Sequence, residues 1–468
     1  MRSWVLFFVF FLPFVIQAQT DPVAYYDRFK ERSIQDRFFK HKDIDRILSQ
    51  LEQDERFGIS KVGTSIEGRA IKLVRIGNGP RKVLLWSQMH GDETTATMAM
   101  MDLFRYFQDR EVDEELKTQI LSELSLYFIP MLNPDGAEKF DRRNALGVDL
   151  NRDAVRLQCP ESRILKRMVD SLQPEFGFNL HDQSRYYTAG EGSKSATFSF
   201  LAPAFNYARD INPVRLKAIQ LIGDLNAYSS KYFPEMIGRY NDAFEPRAFG
   251  DNITKWGTST ILIECGGLNG DPEKQEIRKV HFGLYVYAFQ SILRKNYLSF
   301  GLEDYVAIPN NNRGIRDLIL TNVRYEKEGV SYLLDLAFMQ SEVENAHHTR
   351  IARVASLVDI GDLSTSRAYA SFNADSLLIQ PAKVYPRVLE SNEINKLDFD
   401  KLLKDGYGIV LTKDDMGIEK YDYPLAIVQD VSDVQWHPEY QSNPSFFLVD
   451  SDQSIRYWLH NGNLYPLD

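Results

Sequence analysis

Short apolar runs alternate with longer amphipathic stretches as far as residue 300. The runs Ala70–Ile76, Val83–Trp86, Leu126–Met131, Glu175–Leu180 and Thr260–Ile263 have the length of buried strands. Between them, Thr94–Phe107, Glu161–Leu172 and Asn212–Tyr232 carry apolar residues at helical spacing, and Pro272–Leu293 follows the last run in the same way. At the front, residues 24–56 predict a helix, with Phe38, Phe39, Ile44, Ile47 and Leu51 on one side. Strands alternating with helices predict an α/β domain with a mixed, mainly parallel central sheet flanked by helices. Its extent is read as residues 19–300.

The pattern changes beyond that point. Leu318–Leu320, Leu377–Ile379, Ile409–Leu411, Leu425–Val428 and Phe446–Val449 are short and punctuated by Asn, Asp, Gly and Pro, and Ser341–Ala355 alone reads as helix. A smaller strand-rich domain over 301–468 is expected, with no repeat of fixed period and no role that its residues announce.

The first eighteen residues stand apart. Met1-Arg2 is positive, Trp4–Ile16 is almost wholly apolar, and Ala18 offers a small residue at a cut site before the polar Gln19-Thr20-Asp21. That layout is a secretory signal peptide, and its apolar stretch is short of the ~20 residues a spanning helix needs. A secreted or periplasmic protein with no stable membrane insertion after cleavage is expected. Composition narrows the partners. With 44% hydrophobic and 26% charged residues the chain is globular, and a net charge of −10 argues against nucleic acid as the main partner. Two cysteines, Cys159 and Cys265, make no disulfide framework, and the sequence leaves open whether they pair.

Five clusters could carry chemistry. His90-Gly91-Asp92-Glu93 follows one predicted strand and precedes a helix, so imidazole and carboxylate could face one point, as Zn²⁺ ligands do. A surface histidine and a helix-starting glutamate explain the same letters. Asn133-Pro134-Asp135-Gly136 has turn chemistry and reads as structural. Arg142 to Arg152 contains Gly147-Val148-Asp149-Leu150-Asn151-Arg152, where an amide beside a guanidinium can hold a carboxylate. A further arginine nearby can stabilise charge on a carbonyl oxygen. His181 ends the Glu175–Leu180 run and could add a third ligand, with Asp182 a candidate to orient an imidazole. Glu264 ends a nearly continuous apolar strand, where a carboxylate is either an ion-pair partner or a base in a partly dry site. Each cluster alone has an ordinary structural explanation. Their order, each at a strand end, does not.

The set resembles the zinc metallocarboxypeptidase family of carboxypeptidase A-like enzymes, over roughly Tyr26 to Leu293. The resemblance rests on Val62–Arg69, the His-x-x-Glu pair, the Asn-Pro-Asp-Gly turn, Gly-Val-Asp-Leu-Asn-Arg and the late glutamate. It implies Zn²⁺ held by His90, Glu93 and His181, with Glu264 as general base. It also implies Asn151 and Arg152 as the carboxylate-binding pair, and Arg142 rather than Arg143 as the carbonyl-polarising arginine. The family's mobile tyrosine matches Tyr240 at imperfect spacing. Arg247 reads either as a selector of acidic side chains or as a structural ion pair, and His347-His348 as surface residues. The implied activity is hydrolysis of the last peptide bond of exported peptides or peptidoglycan stem peptides. The alternatives are a zinc-dependent N-acyl amino acid deacylase and a catalytically inactive relative that binds peptides or cell-wall fragments.

Overall fold

In the computed structural model the described residues are 21–345 and 350–467. The predicted leader and His347-His348 therefore lie outside them. Nine strands precede residue 266: β1 (Phe57–Thr64), β2 (Ala70–Ile76), β3 (Arg81–Trp86), β4 (Leu124–Ile129), β5 (Phe176–Asp182), β6 (Tyr187–Ala189), β7 (Phe198–Leu201), β8 (Ile237–Arg239) and β9 (Ser259–Cys265). All but β6 join one sheet in the order β1-β2-β4-β3-β5-β9-β7-β8. The neighbours β4, β3, β5 and β9 run parallel, while β1, β2 and β7 add antiparallel pairings. This is the mixed, mainly parallel sheet that the apolar runs predict.

The central strands are apolar throughout because both faces are covered. In β3, Val83 and Leu85 pack with the helices Thr95–Gln108, Pro213–Ser229 and Gln275–Arg294 on one side. Leu84 and Trp86 point to the other core, beside Ile164 and Leu165 of helix Pro160–Leu172 and Ile253 of helix Phe249–Lys255. Period-2 alternation thus splits one strand between two cores.

The front of the chain differs from its predicted helix. A 3-10 turn at Pro22–Tyr25 and one α-turn at Tyr26–Phe29 lead into irregular backbone, and the helix occupies only His41–Leu51. Polar side chains take the backbone bonds that a helix would need. Glu31 accepts from Ser33 N–H, Asp36 from Phe38 N–H, and Asp43 from Lys40 N–H at the true helix start.

Beyond residue 310 the structure is strand-rich, as expected. The strands are β10 (Asn311–Arg313), β11 (Ile315–Lys327), β12 (Val330–Glu344), β13 (Ile351–Gly361), β14 (Arg367–Asn373), β15 (Leu378–Gln380), β16 (Lys383–Leu389), β17 (Tyr407–Thr412), β18 (Ala426–Val428), β19 (Phe446–Val449), β20 (Ile455–His460) and β21 (Asn463–Pro466). One sheet runs β13-β12-β11-β15-β19-β20-β21, with β14 also on β11; β16, β17 and β18 form a small parallel sheet. The helix expected at Ser341–Ala355 is overturned. Its described residues end β12 and begin β13, paired as Ser341 with Val354 and Val343 with Ala352. β-Branched Val343, Ile351 and Val354 suit that ladder, and cross-strand pairing overrides the local preference.

The strand-rich half is bonded to the first sheet through the segment after β5. β10 pairs with β6, and Asn311 Nδ2 donates to Gln183 Oε1 at 2.6 Å. Arg185 pairs with Asp317 of β11, and the Tyr186 hydroxyl lies 2.6 Å from Asp317 Oδ2 and 2.7 Å from the Gln340 carbonyl of β12. Among the described residues, no helix is long and apolar enough to cross a membrane.

Candidate metal centre and substrate cleft

The carboxyl ends of β3, β5 and β9 converge on one point. His90 follows β3 in a turn whose Gln88 takes a left-handed φ of 45° and donates through Nε2 to Gly91 O. A Cβ at Gly91 would sit 2.1 Å from the backbone of Gly136, so this turn lies directly on Asn133-Pro134-Asp135-Gly136. That second turn is built as its residues suggest: Asn133 Oδ1 accepts from Gly136 N–H, and fully buried Asp135 accepts from Ser65, Glu67 and Arg69. The cluster read as structural holds the approach segment against the histidine turn.

His90, Glu93 and His181 are all buried, and one donor atom from each lies within 4.8 Å of the others. Glu93 Oε1 is 2.8 Å from His90 Nδ1, and Glu93 Oε2 is 2.7 Å from His181 Nδ1. The two Nδ1 atoms are 3.2 Å apart. Burial works against the Glu93 carboxylate, but the two imidazoles beside it hold it well below the usual range. Burial likewise opposes charge on His90, yet Glu93 and Asp149 raise it to about 9, whereas burial lowers His181.

Glu264 stands beside this cluster. It is the direct register partner of His181 across β5 and β9 and is 7% exposed. Burial, then the charge of Glu93, push its carboxyl well above the normal value. Arg142 reaches in from the other side: Nη1 is 3.1 Å from Glu93 Oε1, and Nη2 is 3.1 Å from Asp149 Oδ2. Arg143 instead points outward and donates to Gly147 O.

Asn151 and Arg152 lie on a 3-10 turn, Leu150–Arg152, continuous with Asp149. Asn151 Oδ1 accepts from Phe249 N–H at 2.9 Å, and Arg152 Nε is 3.5 Å from Glu245. Arg247 also faces Glu245, at 3.3 Å, and is exposed, the ion-pair alternative in the sequence. Tyr240 packs edge-on against Tyr187, with ring centroids 6.3 Å apart, and burial and then the Glu264 charge raise its hydroxyl pKa. Cys159 and Cys265 are both free and buried.

Two residues near the cluster have roles that differ from expectation. Asp182 does not orient an imidazole; it accepts from Thr95 Oγ1 at 2.7 Å and Lys274 Nζ at 3.0 Å. The imidazole partner is Asp149, whose Oδ1 is 3.1 Å from His90 Nε2. Its signal was the acid two places before Asn151, visible as a letter but not as a contact.

A cleft of about 660 Å³ opens from Glu93 and Arg142 toward Arg185, Arg313, Gln340 and Arg353. Met339–Glu342 of β12 line its far side, a contribution no local pattern announced.

Fold and cluster define an α/β protein with a buried His-Glu-His donor set at the carboxyl edge of a mainly parallel sheet. Residues 44–197, the stretch that carries His90, Glu93 and His181, match the family model described as zinc carboxypeptidase. A relative called "Probable carboxypeptidase 2", from Arthroderma benhamiae, is 27% identical over 192 residues, 40% of this chain and 34% of the relative. "Carboxypeptidase SOL1" from Arabidopsis thaliana is 25% identical over 195 residues, 35% of this chain and 38% of that protein. The chain spans about a third of the length of these relatives. A crystal structure of a metallo-carboxypeptidase from Burkholderia cenocepacia aligns at TM-score 0.44 and 15% identity, covering 55% of this chain and 70% of that one.

Proposed function

We propose that this protein is a zinc-dependent carboxypeptidase that hydrolyses the C-terminal peptide bond of exported peptides or peptidoglycan stem peptides. In this reading residues 1–18 direct export, 19–300 form the catalytic unit and 301–468 an accessory unit. The observation that carries it is the meeting of His90, Glu93 and His181 within 4.8 Å, beside Glu264. Two imidazole Nδ1 atoms and a carboxylate, buried and facing one another, are a donor set that suits Zn²⁺ and leaves room for a further ligand. Bound there, Zn²⁺ would supply Lewis acidity for a scissile carbonyl and lower the pKa of a water.

The chain's own groups account for the rest. Glu264, whose dry position raises its affinity for a proton, takes the proton of the attacking water as a carboxylate and returns it to the leaving amine as a carboxylic acid. Arg142 donates to the carbonyl oxygen as charge develops on it. Asn151 and Arg152 hold the terminal carboxylate, which sets the last peptide bond over the cluster and makes the enzyme an exopeptidase. Tyr240, on the Glu264 side, closes on the substrate's end.

The test is zinc content together with hydrolysis of matched peptides with free and amidated C-termini and of N-acyl amino acids, with Glu264→Gln as control. Release from free C-termini alone, lost in the control with zinc retained, is expected. Turnover of N-acyl amino acids alone would replace the proposal with a deacylase. Absence of zinc would overturn the metal assignment.

A further inference from the structure

The cleft beside the metal cluster is built by both halves of the chain. On the sheet side it begins at Glu93 and Arg142, and neither Asn151 nor Arg152 lines it. If those two hold the substrate's terminal carboxylate, as proposed above, the residues upstream of the bond cleaved must leave in the opposite direction. That direction is this cleft, whose outer wall is Met339–Glu342 of β12 with Arg353 of β13 and Arg313 of β10.

The wall is fastened, not loosely apposed. Asp317 is held by Arg185, by the Tyr186 hydroxyl and by Gln340 N–H at 2.7 Å. Arg37, from the front segment, pairs with Glu342 on β12. The Tyr369 hydroxyl of β14 donates to Arg185 O. Because Arg185 and Tyr186 lie four and five places after His181, the strand-rich half grips the segment that leads out of the metal cluster.

Charge in this wall is unevenly satisfied. Of the carboxylates around the cleft, Asp182 Oδ2 is held by Thr95 and Lys274, Asp317 as above, Glu342 by Arg37 and Asp271 by the N–H groups that open helix Gln275–Arg294, while Asp92 Oδ1, beside Glu93, has no hydrogen-bond partner among the described residues. Among the cations, Arg185, Arg37 and Lys274 are paired, but two others are less fully held. Arg353 donates to Pro272 O at 3.2 Å, and its only ion-pair partner among the described residues is the oxygen of Glu342 that Arg37 already holds, at 3.6 Å. Burial and the neighbouring Arg185 push it below the usual guanidinium range. Arg313 is exposed on the cleft and pairs with no carboxylate among the described residues.

We propose that the strand-rich half builds the upstream half of the substrate cleft, and that Arg353 and Arg313, beside Arg185, bind an acidic side chain of the peptide upstream of the bond cleaved. The substrate class is thus a peptide with a free C-terminus and a carboxylate one to a few residues before the scissile bond. A guanidinium with no carboxylate of its own in a partly desolvated wall favours such a group, and a lysine there meets like charge.

The experiment uses the full chain with zinc and short peptides that differ only in Glu, Gln or Lys at each upstream position. One charge-assisted hydrogen bond corresponds to about a tenfold preference in kcat/KM for Glu over Gln. That ratio is expected in the native protein, to shrink at high salt, and to fall toward one in Arg313→Gln combined with Arg353→Gln. Arg313→Gln alone, at an exposed strand position, is expected to lower the ratio in part, and being a ratio it is insensitive to the amount of folded enzyme. Equal cleavage of Glu and Gln peptides by the native protein would overturn this inference and leave the carboxypeptidase reading standing. Cleavage of no free-C-terminal peptide would overturn both.

Discussion

Asp149 Oδ1 lies 3.1 Å from His90 Nε2, on the far side of the ring from Glu93, while Asp149 Oδ2 is held by Arg142. The contact fixes which ring nitrogen of His90 carries a proton. With Nε2–H donated to the carboxylate, Nδ1 is the nitrogen that gives up its proton when a metal binds. Burial opposes ionisation of Asp149, but His90 and Arg142 hold its pKa well below the usual range, so it is an acceptor at neutral pH. Asp149→Asn is therefore expected to weaken zinc binding by about 10–100-fold, as loss of such supporting partners does. A competition titration with a chromophoric chelator would show it, and an unchanged affinity would remove Asp149 from the metal's support.

Arg152 gives a different readout, because its guanidinium is partly exposed and only 3.5 Å from Glu245. If it holds the substrate carboxylate, Arg152→Gln raises KM for peptides with free C-termini by about 10–100-fold, the size of a charge-assisted hydrogen bond. Peptides amidated at the C-terminus should respond little. Steady-state kinetics on the matched pair decides; equal effects on both would mean that Arg152 acts through its contact with Glu245.

How far the letters reach can be judged from individual elements. β2 is legible to the residue because its apolar run is buried between neighbours on both edges, and Val83–Trp86 likewise marks a strand covered on two faces. β1 is not legible in the sequence because Phe57–Thr64 is an edge strand with two glycines and little alternation. Glu114–Glu123 carries little apolar signal because only Leu116, Lys117 and Ile120 are buried along it. Residues 341–355 went wrong for a physical reason: Glu and Ala favour a helix locally, while the partner strand is what decides. In the site, strand-end positions made His90, Glu93, His181 and Glu264 candidates, and the fold brings them together. The contacts of Asp149, and the wall formed by Met339–Glu342, depend on chain segments far apart in sequence, so no local spacing could announce them.

A fully buried ion pair helps tie down the front segment. Arg278 and Asp102 are both fully buried and meet through two bonds, of 2.7 and 2.6 Å. Arg278 also donates to Glu31 O and Ile34 O, and Asp102 accepts from Glu31 N–H and the Tyr26 hydroxyl. Arg278→Met would strand a carboxylate in the core, a loss of about 3–5 kcal/mol. Urea denaturation should show that loss, and Asp102→Asn combined with Arg278→Met should recover part of it, since the stranded charge is gone.

Two buried histidines make stability depend on acid. Burial lowers His281 to about 3 and His460 to about 4, against about 6.5 in an unfolded chain. A group whose folded pKa is depressed contributes stability that is fully present above its unfolded pKa and is lost as pH falls toward the folded one. Between pH 6.5 and 4 each histidine therefore removes about 1.4 kcal/mol per pH unit. Asp251 works the other way: burial raises it to about 7, so its contribution is full below the ordinary carboxylate range and lost as pH rises toward 7. The native protein alone shows only the sum, and the informative quantity is the difference from a variant. His460 Nδ1 lies 2.8 Å from Ser445 Oγ in the strand-rich core. His460→Asn keeps a polar group there but cannot titrate. Relative to the native protein it should lose stability at pH 7 and regain about 2 kcal/mol of that difference by pH 5, read from urea midpoints at each pH. A difference that stays constant between pH 7 and 5 would mean that His460 is not held neutral by its burial.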